Sequence, residues 1–437
     1  MLTMRWVATA ASLAAAADMF VIFTILWVAG PLGWSGAETA VFVIASRVPA
    51  LLGGVLGGRA VDRFGARPML LFDAVARTVT MGAFVVAGVL GELSYPVALV
   101  LAAMSGTVAP ISYAAARSLV PRLVEDRDLG RANALLAVGD QLVLLVAAGL
   151  VGPAVTLLGT TGAFAVAAVM MVGVGLITLR LPSLGGAMGG ATGGATGAVI
   201  PGASGDDPVT GVAAAVPGGV PGARSPWRST PVLALVSLSI AYYFAYGPFE
   251  PVLPFFVRDN LQGGANTFSV LWVAFGVGAV VGVALGPRLA SLKRLGVVNA
   301  VGAIAWGVIT LPLLFTHETW VAVPIFAVSG VVWGPYSTVE TTALQRWTPA
   351  SHHGRVFGTQ RALLQSVLPV GAALGAVAVD HASAVVVLGI SLAGCSLAGL
   401  AALALPAMRR PTTSPTTAAA PLGDAPEGQR PDAIKVS

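Results

Sequence analysis

The chain has 437 residues, of which 56% are hydrophobic and only 10% charged, with a formal net charge of +5. Together with a mean hydropathy of +0.85, this balance excludes an ordinary soluble domain and describes membrane spans. Continuous apolar runs, rather than short alternating ones, also argue against a transmembrane barrel. Cys395 is the single cysteine, so no internal disulfide forms, and a buried thiol is expected. His317, His352, His353 and His381 are scattered without metal-ligand spacing. No metal or other cofactor is expected.

In chain order, the first run, Val7 to Gly30, follows Arg5 and includes the small residues Ala14 to Ala17. It resembles a signal peptide at its start, but its apolar character continues to Ala29, so it reads as an uncleaved helix. Eleven more spans follow it. The predicted set is 7–30, 38–58, 69–90, 96–116, 132–157 and 162–180, then 231–257, 267–290, 297–315, 320–345, 357–379 and 382–406. Each is long enough to cross ~30 Å of hydrocarbon at ~1.5 Å per residue.

Basic residues set the orientation. With the N-terminus inside, 21 of the 24 Lys and Arg fall in the termini, even-numbered loops or cytoplasmic helix ends. Arg258 falls outside, and Arg47 and Arg77 lie within helices. The positive-inside rule then places both termini in the cytoplasm. The same distribution assigns the net charge to a membrane surface and not to nucleic acid. Residues 181–230, rich in Gly, Ala, Pro and Ser, read as a flexible cytoplasmic linker between an N-terminal half, 1–180, and a C-terminal half, 231–407. A Pro- and Thr-rich tail, 408–437, is expected to be disordered.

The halves echo each other. Arg63-Phe64-Gly65 follows span two, and Arg294-Leu295-Gly296 follows span eight, 231 positions later. Gly130-Arg131 and Gly354-Arg355 open spans five and eleven, 224 positions apart. Duplicated six-helix halves around a central cavity are a transporter architecture.

Between spans two and three, Gly58-x3-Asp62-Arg63-x-Gly65-x-Arg67 resembles the cytoplasmic loop signature of the major facilitator superfamily, with Ala66 where many members carry a second basic residue. Gly58 permits close helix approach and Gly65 a turn with positive φ. Asp62 can pair with arginine or face a helix N-terminus of the other half. In that family, such contacts hold the cytoplasmic side shut. The alternative is that these charges only anchor a loop among headgroups. Asp73 and Arg77, four residues apart in span three, are expected to pair beside this gate.

LVPRLVEDRDLGRANAL (119–135) and LQRWTPASHHGRVFG (344–358) are similar to matching loops of the macrolide-efflux-like branch of that superfamily, as are Arg47-x-Pro49 and Asp73-x3-Arg77. The resemblance spans roughly residues 5 to 406. It implies twelve transmembrane helices in two six-helix halves around a central cavity, and an all-α drug:proton antiporter. Two departures stand out. Gly149-x2-Gly152-Pro153 matches the antiporter motif only in part, and span four lacks the buried arginine of many drug–proton antiporters.

Ionisable residues inside helices are costly and must face a cavity or a partner. Asp18 and Arg47, near the middle of adjacent spans one and two, are expected to pair, either statically or as part of coupling. Glu250 shares a face of span seven with Tyr243 and Tyr246, among the breakers Pro248, Pro251 and Pro254. That combination suits a large amphipathic cation, and Glu250 is the expected proton carrier. The competing reading is an interfacial tyrosine belt. Asp140, beside Gln141, is a second acid or, preferably, a packing hydrogen-bonder. Trp333 and Tyr336 line the cavity or, by preference, pack. Glu340 reads as a gate or interface charge. Arg117, Arg122, Arg127 and Arg131 are expected on anionic headgroups.

The leading function is a secondary transporter of the cell membrane of a bacterium, monomeric, exporting amphipathic drug-like molecules against protons. The bacterial assignment rests on 2 Lys against 22 Arg with abundant Ala and Gly. No GxxxxGK[ST] sequence occurs, which excludes a P-loop ATPase. No nucleophile elbow or metal cluster marks an enzyme. The alternatives are uptake or facilitated diffusion of a small metabolite, and a non-transporting scaffold.

Overall fold

A computed structural model describes residues 2–91, 93–123, 129–181, 230–348 and 353–412. Among them there are helices, 3-10 turns and loops, and no strand. Gly58, Asp62, Asp140, Arg117, Arg122 and Arg131 are described only as helical backbone, and Arg127 lies outside the described residues.

Span one is α1 (Leu2–Val28). Span two is divided into α2 (Gly36–Arg47) and α3 (Pro49–Phe64), because Pro49 has no N–H to continue the ladder. Ser35 and Glu38 form a reciprocal capping box that starts α2. Span three is α4 (Ala66–Leu90), closed by Gly91 at φ 72°. Span four breaks at Pro110 into α5 (Tyr95–Val108) and α6 (Pro110–Leu123).

One continuous helical run, α7 (Leu129–Leu179), holds spans five and six. Its 51 residues would reach about 75 Å if straight, more than twice the hydrocarbon thickness. It folds back at Gly159, whose φ of 72° and ψ of 178° are not helical. The packing proves the hairpin: Gly139 lies against Ser12 and Gly173 against Leu13, so positions on both arms meet one level of α1.

The C-terminal half repeats the plan. Span seven is α8 (Thr230–Tyr246) and α9 (Phe249–Asp259), broken at Gly247-Pro248. Then come α10 (Ala265–Ala290) and α11 (Leu295–Thr310), the latter extended by a 3-10 turn to Phe315. Span ten breaks at Gly334-Pro335 into α12 (Thr319–Trp333) and α13 (Tyr336–Trp347). Spans eleven and twelve are α14 (His353–Ala378) and α15 (Ala384–Ala404). Among the described residues, ten stretches are long and apolar enough to cross a membrane. The divided span two and the second arm of α7 complete twelve crossings.

Because lipid offers no hydrophobic drive between helices, small residues set the closest contacts. Gly278 and Gly282 on α10 face α12, where a Cβ would strike the Ala327 and Val331 carbonyls. Gly330 and Gly334 face back onto the Phe275 and Ala279 carbonyls. The outer faces are apolar, with Val79, Val89 and Leu157 exposed to the lipid side.

The bundle has an odd-loop end, where odd-numbered spans hand over to the next, and an even-loop end, where α1 begins and α15 ends. Of the expected linker, only residues 181 and 230 are described. The tail, expected to be disordered from 408, departs from that reading in its first residues. Met408 is buried, and Thr412 donates its N–H to the Lys293 carbonyl at 2.6 Å while its hydroxyl accepts from Leu295 N at 3.0 Å. These bonds satisfy the start of α11, and the rest of the tail lies outside the described residues.

Candidate functional site: a central polar layer and a second buried carboxyl

In the N-terminal half, the i,i+4 spacing of Asp73 and Arg77 places both on one buried face of α4. Their fork is bidentate, with Nε and Nη2 of Arg77 each 2.9 Å from a carboxylate oxygen of Asp73. Ser112 of α6 donates to the same carboxylate, and Arg77 also donates to the Ala14 carbonyl at 3.1 Å. The expected intrahelical pair therefore forms, and it sits deep between α1, α4 and α6. Asp18 lies at the edge of this cluster, 3.8 Å from Arg77 Nη1, and accepts from the Ser105 hydroxyl at 3.4 Å. Its side chain keeps 29% of its exposure, whereas Asp73 keeps none.

The expected Asp18–Arg47 pair does not form. Arg47, in the last turn of α2, reaches across to α9 of the other half, with Nη2 3.7 Å from Glu250 Oε2. Its contact on α1 is the Met19 sulfur, also at 3.7 Å. The physical reason is helical rotation: successive residues diverge by about 100°, so Met19 faces span two while Asp18 faces spans three and four. Glu250 thus takes its base from the opposite half. The pair is partly exposed, 28% for Arg47 and 16% for Glu250.

The face of span seven also divides. Tyr246 is buried, with its ring centroid 5.2 Å from Trp306 and 6.2 Å from Phe249, so it packs. Tyr243 is half-buried and lies edge-on to Tyr242 at 5.6 Å and to Tyr336 at 6.3 Å. Tyr336 stacks on Tyr242 at 4.8 Å. Trp333 is half-buried against Phe275 at 5.6 Å.

Glu340 is the second buried carboxyl, at 4% exposure. It accepts from the Ser239 hydroxyl of α8 and from Gln360 Nε2 of α14, and the Tyr336 hydroxyl stands 3.5 Å from Ser239 Oγ. Among the described residues it has no ion-pair partner. It is thus no interface charge but the polar centre of the C-terminal half.

The two halves meet chiefly at the odd-loop end. Both carboxylate oxygens of Asp380 accept from the opening N–H groups of α2, at 2.7 Å from Gly36 and 3.1 Å from Ala37. Arg258 donates to the Trp27 carbonyl at 3.3 Å, in the last turn of α1. Acid meets a helix N-terminus and base meets a C-terminus, the favourable sense of both dipoles. Phe23 stacks on Trp272 at 5.2 Å, and Gly152 N donates to Ser269 Oγ at 2.6 Å. The partial antiporter motif therefore lies at the joint between α7 and α10. A family model described as "Major Facilitator Superfamily" matches residues 7–345.

The chain belongs to the major facilitator superfamily.

Its curated relatives agree. The uncharacterized MFS-type transporter y4rN of Sinorhizobium fredii is 26% identical over 373 residues, 84% of this chain and 85% of that protein. The multidrug efflux pump Tap of Mycobacterium tuberculosis is 25% identical over 382 residues, 85% of each. Among solved structures, a bacterial homologue of the iron transporter ferroportin in an inward-facing state has a TM-score of 0.69 at 15% identity, covering 94% of this chain and all of that one. A D-xylose-proton symporter has a TM-score of 0.63 at 17% identity, covering 92% and 96%. The likeness to these structures is one of fold. As a member of this superfamily, the chain is a multi-pass membrane transporter of small molecules and not an enzyme.

The superfamily's loop signature is described in part. Gly65 ends α3 at φ 91°, the left-handed region that a side chain disfavours. Arg67 donates to the Leu179 carbonyl at 2.9 Å and to the Thr178 carbonyl at 3.4 Å, a cation on the C-terminus of span six. Arg63 is exposed over the Phe64 ring at 5.3 Å. The side chain of Asp62, the expected gate acid, lies outside the described residues, as does that of Asp140. Sequence reasoning did not find the Ser239–Glu340–Gln360 group or Asp380. For Glu340 a signal existed: an acid four residues from Tyr336, just after the helix-breaking Gly334-Pro335.

Proposed function

We propose that this transporter exports amphipathic cations from a bacterial cell in exchange for protons, by alternating access, as a monomer with its even-loop end and both termini in the cytoplasm. The observation that carries the substrate class is the charge of the N-terminal polar cluster. Two carboxylates, Asp18 and Asp73, surround one guanidinium, Arg77, and Asp18 is the accessible member. A low-dielectric site with one surplus negative charge favours a cation. Half-buried Tyr243 and Trp333 offer ring faces to an apolar body. Efflux is the function in the printed name of the Tap relatives, and the basic residues at the even-loop end favour the orientation.

In this reading Arg47–Glu250, Asp380 and Arg258 hold the outer side shut, and the loop from Gly58 to Arg67 closes the inner side in the opposite state. The units are the halves 1–180 and 231–407, joined by the 181–230 linker and followed by the 408–437 tail. Purified protein in liposomes, with an imposed pH gradient and a panel of cationic and neutral dyes, tests the proposal. Cationic dyes should move against their gradient with counterflow of protons, and Asp18→Asn should lower their binding at least tenfold while sparing neutral ones. Equal transport with and without the pH gradient, or unchanged cation affinity in Asp18→Asn, overturns it.

A further inference from the structure

We infer that Glu340, held between Ser239 and Gln360, is the carboxyl at which the C-terminal half takes up and releases the coupling proton. The inference rests on the proton-exchange reading above, and it turns on the chemistry of the partners. Asp73 is gripped at two points by a guanidinium, a donor that never accepts and never loses its proton, so this partner cannot take up the O–H of a neutral acid. Glu340 is gripped by a hydroxyl and a primary amide. A hydroxyl both donates and accepts, and an amide turned over presents its oxygen in place of its NH2. The same two side chains can therefore satisfy Glu340 as a carboxylate and, after reorienting, as a neutral acid. No charged partner has to leave.

Among the described residues, the groups that contact this centre are neutral. From α8 they are Ser239, Tyr242 and Tyr243, and from α13 itself Tyr336. Gln360 comes from α14, where the adjacent Arg361 turns away to donate to Tyr113 Oη at 2.7 Å. Cys395 of α15 lies beyond Tyr242, 3.7 Å from its carbonyl. Asn299 of α11 shares a cavity with Tyr336, and Arg288 of α10 is exposed at the even-loop end. Asn299 is buried with neither amide atom hydrogen-bonded among the described residues. It lines a cavity of about 270 Å³ with Tyr336 and Val339.

Position adds a mechanical argument. Ser239 and Glu340 come from spans seven and ten, broken at Gly247-Pro248 and Gly334-Pro335, and Gln360 comes from span eleven, whose continuous helix α14 carries Pro369. Bending at those breaks changes the distances among the three side chains, so proton occupancy and helix position are linked. The step balances simply. A proton from the outer side adds to a Glu340 oxygen and neutralises it, the halves rock, and the same O–H bond releases the proton inside. The cation leaves by the opposite stroke.

Infrared difference spectroscopy of the full-length protein in liposomes, stepped from alkaline to acidic buffer, reads the carboxyl directly. The wild type should gain a neutral-carboxyl C=O band and lose carboxylate absorption. Glu340→Gln should lose that band, Asp18→Asn should keep it, and Ser239→Ala should shift it by removing one hydrogen bond. A band that persists in Glu340→Gln, or no titrating band in the wild type, overturns the inference. If Glu340→Gln does not fold, an unshifted band in Ser239→Ala overturns it equally. The spectrum does not depend on transport, so a wild type that exports no cation defeats the proposed function without deciding this one.

Discussion

The two halves of this transporter share a helix plan but solve the problem of buried charge in opposite ways. In the N-terminal half, Asp73 is neutralised by a two-point fork from Arg77, with Ser112 and the Ala14 carbonyl completing the shell. In the C-terminal half, Glu340 has, among the described residues, only neutral dipoles, from Ser239 and Gln360. An ion pair with all its hydrogen bonds made is expensive to disturb, because removing one member strands the other in a medium that cannot solvate it. A carboxyl held by neutral groups has partners that tolerate exchange. The comparison separates a polar centre built to stay from one built to change.

The sharpest way to break that contrast is Arg77→Met. It leaves Asp73 buried without its base, at a cost of about 3–5 kcal/mol. A large fall in thermal midpoint and in folded yield after detergent extraction is the expected outcome. Replacing both residues, Asp73→Leu with Arg77→Met, should recover most of the loss. A single mutant as stable as wild type would show that the fork does not hold the half together.

The C-terminal centre should respond less. Glu340→Leu takes the carboxyl partner from the Gln360 amide and leaves the Ser239 hydroxyl only the Leu235 carbonyl at 3.1 Å and the Tyr336 hydroxyl at 3.5 Å, a cost of about 1–3 kcal/mol. Glu340→Gln keeps the shape and most of the hydrogen bonding and should cost less than about 1 kcal/mol. Thermal unfolding in one detergent compares the two. If Gln proves as damaging as Leu, a charge is being held there, and the contrast between the halves fails.

The smallest effect belongs to the bridge between them. Arg47 and Glu250 are 3.7 Å apart and partly exposed, so Arg47→Gln should change stability by no more than about 1 kcal/mol. A bridge that favours one state must still shift a population. Labelling of a cysteine at Thr39, buried near the odd-loop end, should quicken, by less than about tenfold. Unchanged labelling would make the bridge incidental.

Much of the architecture was legible in the chain. Helices that satisfy their own backbone and expose apolar faces are what a bilayer demands, so span number and approximate ends follow from composition and length alone. Of the three prolines expected to break span seven, Pro248 does so while Pro251 and Pro254 lie inside α9; the breaks at Pro110 and Pro335, not singled out in the sequence, have the same local cause, a missing N–H. The i,i+4 pairing of Asp73 with Arg77 was legible for the same reason. The pairing of Asp18 was not. Adjacent spans and similar depth pointed to Arg47, but one residue of helical rotation sent Asp18 to Ser105 and Arg77 and left Met19 facing Arg47.

The sequence by itself therefore determined what each segment must be: its length, its breaks, its basic even-numbered loops and its within-helix pairs. These follow from interactions that close within a few residues or with the solvent. Only the tertiary structure decided which charges meet, joining Arg47 to Glu250 across the halves, Asp380 to the start of α2, and Glu340 to side chains 101 and 20 positions away. Such contacts depend on how each helix is turned about its axis. That rotation is settled by glycine-scale packing against neighbours, as between α10 and α12, and not by any single span's hydropathy.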